Sequence, residues 1–586
     1  KVKMTKKDKK GTEESEILLN EELEELAWNQ DIPLDPEATL KGMIKEAESI
    51  TDFNVYDKVP LSTVKGPVLS SRWVLKPKGI EVKARAVVRG FEQAFTDVET
   101  ASPTPSLTTM LTLLSLGVST GMHINTGDVS TAFLHAPLTE EVLVQPPKEL
   151  VGTKYCPEGH CWRLKKALYG LRSAPLSWNK HITEFLTERM GFRQPTTDAC
   201  LFIKDGKKIY PLLYFDDLLT LTKDDTDKDW LFNSLGSHVL LKHTGKLEPT
   251  TTLKFLGRQL THRGDNIMIT SPPQYITELL TMYNLDKCRP TTTTGNSTMK
   301  PTTEDEEPLD KEEHSKYRTA VGKLRWLTGI RPDLSYATKE LARGLASPTV
   351  QHRTALKHTL RFLAGTAGTG LMLKPTTTLS KETRHKAELT IYTDSDWAGC
   401  KTTRKSTTGT VIQLLGCTIQ HCSRTQMTLA LSSTEAETYA VCTGLSEALF
   451  LRQLLLEAKL FTTVELHLYT DSTGARATSL RTGLGPKTKH IHLRYLWIQD
   501  CFQQGLAKLH KVRTKDNCAD ILTKFTTVET LNYLKGKIGL TNNIVTLNCV
   551  RIDWYHADNT LTGVTDVPKS SEQTTENSLK HCKRAT

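Results

Sequence analysis

One stretch constrains this chain more than any other: an apolar run from Ile209 to Leu221, interrupted once by the adjacent pair Asp216 and Asp217. The apolar flanks, Ile209 to Phe215 and Leu218 to Leu221, have strand length, so the segment reads as a hairpin with the acidic pair at or near its tip. Such a pair is awkward to hold inside a protein. Like carboxylates raise each other's pKa, and burial costs on the order of several kcal/mol per ion unless a cation compensates. An isolated Asp-Asp pair between apolar segments is more often a plain turn. Divalent cations change that balance, because Mg²⁺ takes hard oxygen ligands and a pair of such ions stabilises both the attacking and the leaving oxygen of an in-line phosphoryl displacement. A third carboxylate is placed to join the pair. Met122 to Val129 reads as a strand that delivers Asp128 where it ends and runs into Ser130-Thr131-Ala132-Phe133-Leu134.

A second acidic set lies downstream. Glu388 to Thr393 alternates apolar and polar residues and ends in Asp394, and Glu465 to Thr470 does the same before Asp471, so two strands deliver carboxylates at equivalent points. Between them Ser432-Ser433-Thr434-Glu435-Ala436-Glu437 opens a helical pattern that continues through Leu455. Ser432 and Glu435 have capping-box spacing, which assigns Glu435 to the helix start and leaves Glu437 as the better metal ligand. A fourth carboxylate, Asp520, sits in Asn517-Cys518-Ala519-Asp520-Ile521-Leu522-Thr523-Lys524, where the competing role is a helix-cap partner of Asn517.

The remaining sequence sets the frame for these two sets. A length of 586 residues exceeds the roughly 250 to 300 that one core usually holds, so at least two globular units are expected. Lys and Arg number 76 against 66 Asp and Glu, and a net field of +10 favours polyanions such as nucleic acid. Scattered cysteines, no secretory leader and no apolar run of the roughly 20 residues a span requires predict a soluble intracellular protein with reduced thiols and no membrane partner. Lys1 in place of an initiating Met points to a piece of a longer polyprotein.

Residues 1–50 are charge-rich and read as a linker or tail, partly disordered, with one helical stretch. From Val59 onward strand-length runs such as Ser71 to Leu75 alternate with helical patterns such as Leu107 to Leu116. Pro290 to Pro308 reads as a hinge, helical patterns continue through Leu373, and Pro375 to Thr383 is a second break. A further α/β block runs from Ala387 to about Leu534, and residues 535–586 are expected to be a disordered tail.

Several of these segments resemble one family. Tyr214-Phe215-Asp216-Asp217 resembles the signature tetrapeptide of reverse transcriptases, and Asp128 to Leu134 their first acidic motif. Leu164-Lys165-Lys166-Ala167-Leu168-Tyr169-Gly170-Leu171-Arg172-Ser173-Ala174-Pro175 resembles the copia-type form of the template- and nucleotide-positioning motif. Lys83-Ala84-Arg85-Ala86-Val87-Val88-Arg89-Gly90 is similar to the fingers segment, and Phe255-Leu256-Gly257 to the primer-grip turn. These five motifs fall in the family's order over Val59 to Met299. Thr393 to Gly399, Ser433 to Glu437 and Ala519 to Lys524 resemble the copia-type RNase H domain, and Tyr317 to Gly322, Arg331-Pro332-Asp333 and His352 to Gly365 its connection region. The chain therefore resembles the reverse transcriptase and RNase H portion of a copia-type LTR retrotransposon (Pseudoviridae-like) Pol polyprotein.

That resemblance implies a multidomain α/β and α+β architecture: right-hand-like fingers and palm at 51–295, a helical connection or thumb-like region at 296–385, and an RNase H-like domain at 386–534. It implies an RNA-directed DNA polymerase with RNase H activity. Asp128, Asp216 and Asp217 would form one catalytic metal set, and Asp394, Glu437, Asp471 and Asp520 the other, each with two Mg²⁺ ions or Mn²⁺ in their place. Lys83 and Arg85 would hold the incoming triphosphate, Phe133 would exclude a ribose 2′-hydroxyl, and Tyr169 and Gly170 would line the nucleotide site. The implied partners are an RNA template, a DNA primer, RNA–DNA hybrid, dNTPs and other parts of the Pol polyprotein, in a cytoplasmic virus-like particle or the nucleus. The chain departs from the family at Phe215, where Val is usual, at His492, where an acid is usual, and at Leu496, where His is usual. The first bears on fidelity or rate, and those at His492 and Leu496 define the alternative, a decayed element that only binds nucleic acid. Cys156, His160 and Cys161 lie close together but lack the second ligand pair of a closed zinc site. Neither an integrase-like acidic motif nor a protease triplet is evident.

Overall fold

In the computed structural model, which describes residues 34–93, 100–297, 307–376, 385–483, 485 and 489–542, the strands assemble into four larger sheets and a two-stranded ribbon. The sheet that carries the acidic hairpin is antiparallel throughout, in the order Leu241–Lys246, His123–Val129, Asp217–Thr222, Ile209–Tyr214. Helix Leu107–Thr120 packs against it. Ser106 caps the first turn by accepting the Thr108 N–H, and Gly121 ends the helix at φ +67°. This helix is apolar around most of its circumference because it is covered on more than one side. Its Met110, Leu113 and Leu114 share one buried cluster with Ile124, Leu219 and Leu221 of the hairpin sheet, and with Leu389, Ile412 and Val441 of the downstream α/β block.

The downstream block is a mixed five-stranded sheet, Cys417–Thr425, Thr407–Leu414, Lys386–Asp396, Thr463–Thr470, Lys508–Lys511. The first three strands are antiparallel and the last two run parallel to Lys386–Asp396, so the chain needs a crossover, which helix Ser433–Glu457 supplies. That helix ends against the hairpin side of the molecule. Glu457 accepts the Thr196 N–H at 2.9 Å and the Thr196 hydroxyl at 2.7 Å, and Lys459 pairs with Asp205 at 2.9 Å.

Two expectations about the ends of the chain need correction. Residues 36–50 are a packed element rather than linker: the one helical stretch expected there is Pro36–Asp52, capped by Asp35, and it packs on strand Glu81–Val88, which forms a ribbon with Ser71–Lys78. Gly42, Glu46 and Ile50 recur at four-residue spacing and share one face, and a Cβ on Gly42 would lie 2.2 Å from the Val82 carbonyl oxygen. The tail also starts later than residue 535. Helix Val528–Lys537 leads to Leu540–Asn542, which closes a sheet ordered Thr252–Phe255, Arg258–Arg263, Asn266–Thr270, Thr369–Leu373, Leu540–Asn542.

Helices Lys311–Thr328, Ser335–Ala342 and Val350–Gly365 match the helical reading of the middle region, but Thr369–Leu373 is a strand. The last helix ends at Gly365 with Thr366 as its C-cap, and Gly370 lets the backbone approach closely, since a Cβ there would meet the Ile269 oxygen at 2.4 Å. The remainder of both terminal segments, and parts of the two expected breaks (298–306 and 377–384), lie outside the described residues. The ten described cysteines are free, and no helix among the described residues is long and apolar enough to cross a membrane.

Candidate active sites

The hairpin is tighter than its sequence suggests. Tyr214 pairs with Asp217, so only Phe215 and Asp216 occupy the turn, and Asp217 is the first residue of the returning strand. Phe215 sits in the left-handed region at φ +48°, which a non-glycine residue adopts only at a cost. Two hydrogen bonds hold it there. The Trp178 indole N–H donates to the Phe215 carbonyl at 2.7 Å, and the Val129 N–H donates to the Asp216 carbonyl at 2.7 Å. Asp128 is the cross-strand partner of Asp217, so the two side chains leave the same face of the sheet beside the turn. Burial, then the charges of Asp216 and Asp128, pushes the Asp217 carboxyl up to about 6. Asp216 is also raised, first by burial and further by Asp128, with Arg85 and Lys83 opposing.

The expected nucleotide-site residues gather at this point. The Arg85 guanidinium lies 4.0 Å above the Tyr169 ring, and burial pushes the Tyr169 hydroxyl up to about 12. Lys83 is lowered by burial and then by Arg85, while Asp216 and Asp128 oppose. Phe133 follows the left-handed Thr131, with its ring 5.4 Å from that of Tyr169 and 6.4 Å from that of Phe215. Gly170, at φ +88°, lies against the Val88 carbonyl, where a Cβ would come to 2.0 Å. The Phe255-Leu256-Gly257 segment is a two-residue hairpin turn, with Leu256 and Gly257 both at positive φ and Phe255 paired to Arg258.

The second set converges more tightly. Asp394 lies near the end of strand Lys386–Asp396, beside Thr463–Thr470, in a parallel register that pairs Thr393 with Thr470 and brings Asp471 alongside. Glu437 comes from the first turns of the crossover helix. One carboxylate oxygen from each of Asp394, Glu437 and Asp471 lies within 4.8 Å of the others, the sole such grouping among the described residues. Burial raises both Glu437 and Asp394, with Asp394 and Asp471 adding to the first and Asp520 to the second. Glu437 Oε2 is buried with no hydrogen-bond partner. Three hard oxygen donors, one of them otherwise unsatisfied, fit a divalent cation.

Asp520 neighbours that trio without joining its 4.8 Å grouping and pairs with Lys524 at 2.6 Å, while Asn517 caps its short helix by accepting the Ala519 N–H. Thr523 donates its hydroxyl to Asp394. The three aspartates of the hairpin site do not form an equally close group. The capping box at Ser432 is only half made. Ser432 accepts the Glu435 N–H, but Glu435 accepts the Leu431 N–H at 2.8 Å, the His490 Nε2–H at 2.9 Å and the Tyr439 hydroxyl. His492 caps Leu493–Tyr495 by accepting the Arg494 N–H, a role an acid also performs. Cys156 donates its thiol to the His160 carbonyl and forms no metal group. Sequence inspection missed Trp178, because it lies beside no acidic motif.

The family described as reverse transcriptase (RNA-dependent DNA polymerase) matches residues 53–296. The retrovirus-related Pol polyprotein from transposon TNT 1-94 of Nicotiana tabacum is 32% identical over 526 residues, covering 86% of this chain and 38% of that protein. Its counterpart from transposon RE1 of Arabidopsis thaliana is 32% identical over 498 residues, covering 83% of this chain and 33% of that protein. A protein named for transposon Ty5-1 in Saccharomyces cerevisiae is 30% identical over 316 residues, covering 53% of this chain and 96% of that protein. The chain thus spans little more than a third of the Pol polyproteins it matches.

Proposed function

The chain belongs to the Pol polyproteins of copia-type retrotransposons, and from that membership we propose that it is an RNA-directed DNA polymerase with an RNase H centre. The observation that carries this reading is the cross-strand pairing of Asp128 with Asp217, next to the left-handed turn that presents Asp216. On this reading residues 51–295 are the fingers and palm, the helices after 307 the connection, and the mixed sheet from Lys386 the RNase H domain.

Asp128, Asp216 and Asp217 would hold Mg²⁺ in the first site, and Asp394, Glu437 and Asp471 in the second, with Asp520 joining once Lys524 releases it. Mn²⁺ is the alternative ion. A bound metal pair would supply a low-pKa nucleophile and neutralise charge on the phosphoryl oxygens. The protein's own residues do the remaining work. Arg85 and Lys83 receive the triphosphate, and Arg85 is kept in place by its stack on Tyr169. Phe133 walls the sugar and disfavours a 2′-hydroxyl. Template, primer and hybrid are bound through phosphates and A-form shape, as the net positive charge favours.

Primer extension on an RNA template with Mg²⁺ tests the first centre, and cleavage of an RNA–DNA hybrid tests the second. Asp216→Asn abolishes extension and leaves hybrid cleavage, whereas Glu437→Gln does the reverse. Extension that survives Asp216→Asn sinks the polymerase assignment. Hybrid binding with turnover in neither assay selects a decayed, binding-only element.

A further inference from the structure

The turn Leu256–Gly257 leads into strand Arg258–Arg263, whose first residue is out of place on ordinary packing grounds. Phe255 pairs with Arg258 and Leu253 with Leu260, so Arg258 shares the core face of its sheet with three buried apolar side chains. It is only 7% exposed. Its Nη1–H donates to the Leu256 carbonyl at 3.0 Å, its Nε has no hydrogen-bond partner, and no carboxylate pairs with it among the described residues. Glu278, on helix Pro273–Thr281, is paired with Lys323 at 2.9 Å. Rings stand where an acid is expected: the guanidinium carbon lies 4.6 Å from the centre of the Trp326 ring, which is itself 4.6 Å from that of Tyr275. Such stacking offsets part of the cost of a buried charge, and a guanidinium cannot shed its proton to avoid the rest. Burial lowers Arg258 to about 10, which leaves it charged at neutral pH.

The charge lies close beneath the surface. Gly257 is exposed, and a Cβ on it would come to 3.1 Å from Trp326 Cζ2, so the turn sits directly on the ring that covers the guanidinium. Lys254, before the turn, and Arg325, next to Trp326, are exposed cations. We propose that the Leu256–Gly257 turn seats a backbone phosphate of the bound nucleic acid, and that Arg258 beneath it supplies the positive charge that draws the phosphate there. The proposal rests on the reading of the chain as a polymerase acting on an RNA–DNA template–primer. A phosphate on this turn meets a cation whose surroundings are protein rather than water, and the lower dielectric strengthens the attraction. The free protein is thereby less stable than an apolar residue at 258 would make it, and the bound complex is tighter.

The test uses the full chain and an RNA–DNA template–primer duplex, with Kd measured over a range of salt concentrations and melting temperature measured without nucleic acid. Arg258→Met removes the charge and keeps an apolar chain of similar reach, whereas Arg258→Lys keeps the charge. One phosphate contact adds about 0.9 to the slope of log Kd on log salt. Arg258→Met is therefore expected to lower that slope by about one and to weaken binding by about tenfold at about 0.1 M salt, while melting no lower than the wild type, because an unpaired buried charge has gone. Arg258→Lys keeps the wild-type slope. An unchanged slope in Arg258→Met overturns the proposal whether or not affinity falls, since a residue that only shapes the turn leaves the slope alone. An equal loss of slope in Arg258→Lys overturns it too, by assigning the effect to shape. Inorganic phosphate that raises the melting temperature of the wild type but not of Arg258→Met, with equal slopes, marks a free-phosphate site instead. A wild type that does not bind the duplex overturns the polymerase reading and this proposal with it.

Discussion

Glu437→Gln should stabilise the metal-free protein while abolishing hybrid cleavage. The ligand atoms of Asp394, Glu437 and Asp471 lie within 4.8 Å of one another, and at an effective dielectric of about 20 one such pair repels by about 3.5 kcal/mol. Glu437 faces two carboxylates, and its raised pKa means that the folded protein relieves part of this repulsion by binding a proton. The sign follows from that. An acid whose pKa is higher in the folded state gives stability that falls as pH rises from the ordinary carboxylate range toward the raised value.

Gln carries no charge at any pH, so the variant lacks this loss. The gain is trimmed because an amide placed where Oε2 now lacks a partner stays unsatisfied, at about 1–3 kcal/mol. We expect a net gain of about 1–2 kcal/mol at pH 8 in EDTA, or a few degrees in melting temperature, and less at pH 6. Excess Mg²⁺ then stabilises the wild type, by about 2.7 kcal/mol at a hundredfold excess over Kd, and the variant markedly less. Denaturation at both pH values, with EDTA and with Mg²⁺, measures all of this. A variant no more stable than the wild type at pH 8, or equal Mg²⁺ stabilisation of both proteins, refutes the reasoning.

Trp178→Phe removes the donor to the Phe215 carbonyl and leaves a partly buried acceptor unpaired. It should cost about 1–3 kcal/mol in denaturation and slow primer extension, and unchanged extension would show that the turn holds without it. Asp333→Ala strips the buried Arg331 of its 2.9 Å partner and Lys535 of its 3.6 Å one, so a loss of about 3–5 kcal/mol is expected, much of it recovered by a double apolar replacement of Arg331 and Asp333. Burial holds His421 down at about 4, so the unfolded chain binds more protons between about pH 6.5 and 4 and stability falls as pH drops through that window, by at most about 3 kcal/mol. His421→Gln should flatten that limb of the acid-denaturation curve; an unaltered limb rules the histidine out as its source.

The candidate carboxylates were legible because most lie at or near a strand end or in the first turns of a helix, where period-2 alternation and capping spacing mark the position. What supports them was hidden for physical reasons. The packed face of Pro36–Asp52 consists of Gly42, Glu46, Ala47 and Ile50 in a charged stretch, so only a weak apolar stripe announces it. Lys524 lies four residues after Asp520, just past the end of the short helix Cys518–Leu522, where its ammonium folds back onto the carboxylate, and a search for acidic residues alone passes over it.

Three-residue Leu540–Asn542 is too short for any periodicity, yet its register with Thr369–Leu373 completes a sheet that begins at Thr252. Because Thr369–Leu373 is laddered to Asn266–Thr270 on one edge and to Leu540–Asn542 on the other, segments from between the two acidic sets and from after the second share one backbone network. The polar breaks near Pro290 and Pro375 therefore mark where the chain crosses between elements, and the apolar cluster running from Leu113 to Val441 joins the two halves across them. Composition reports where the chain leaves a core, and it carries no information about which core the chain re-enters.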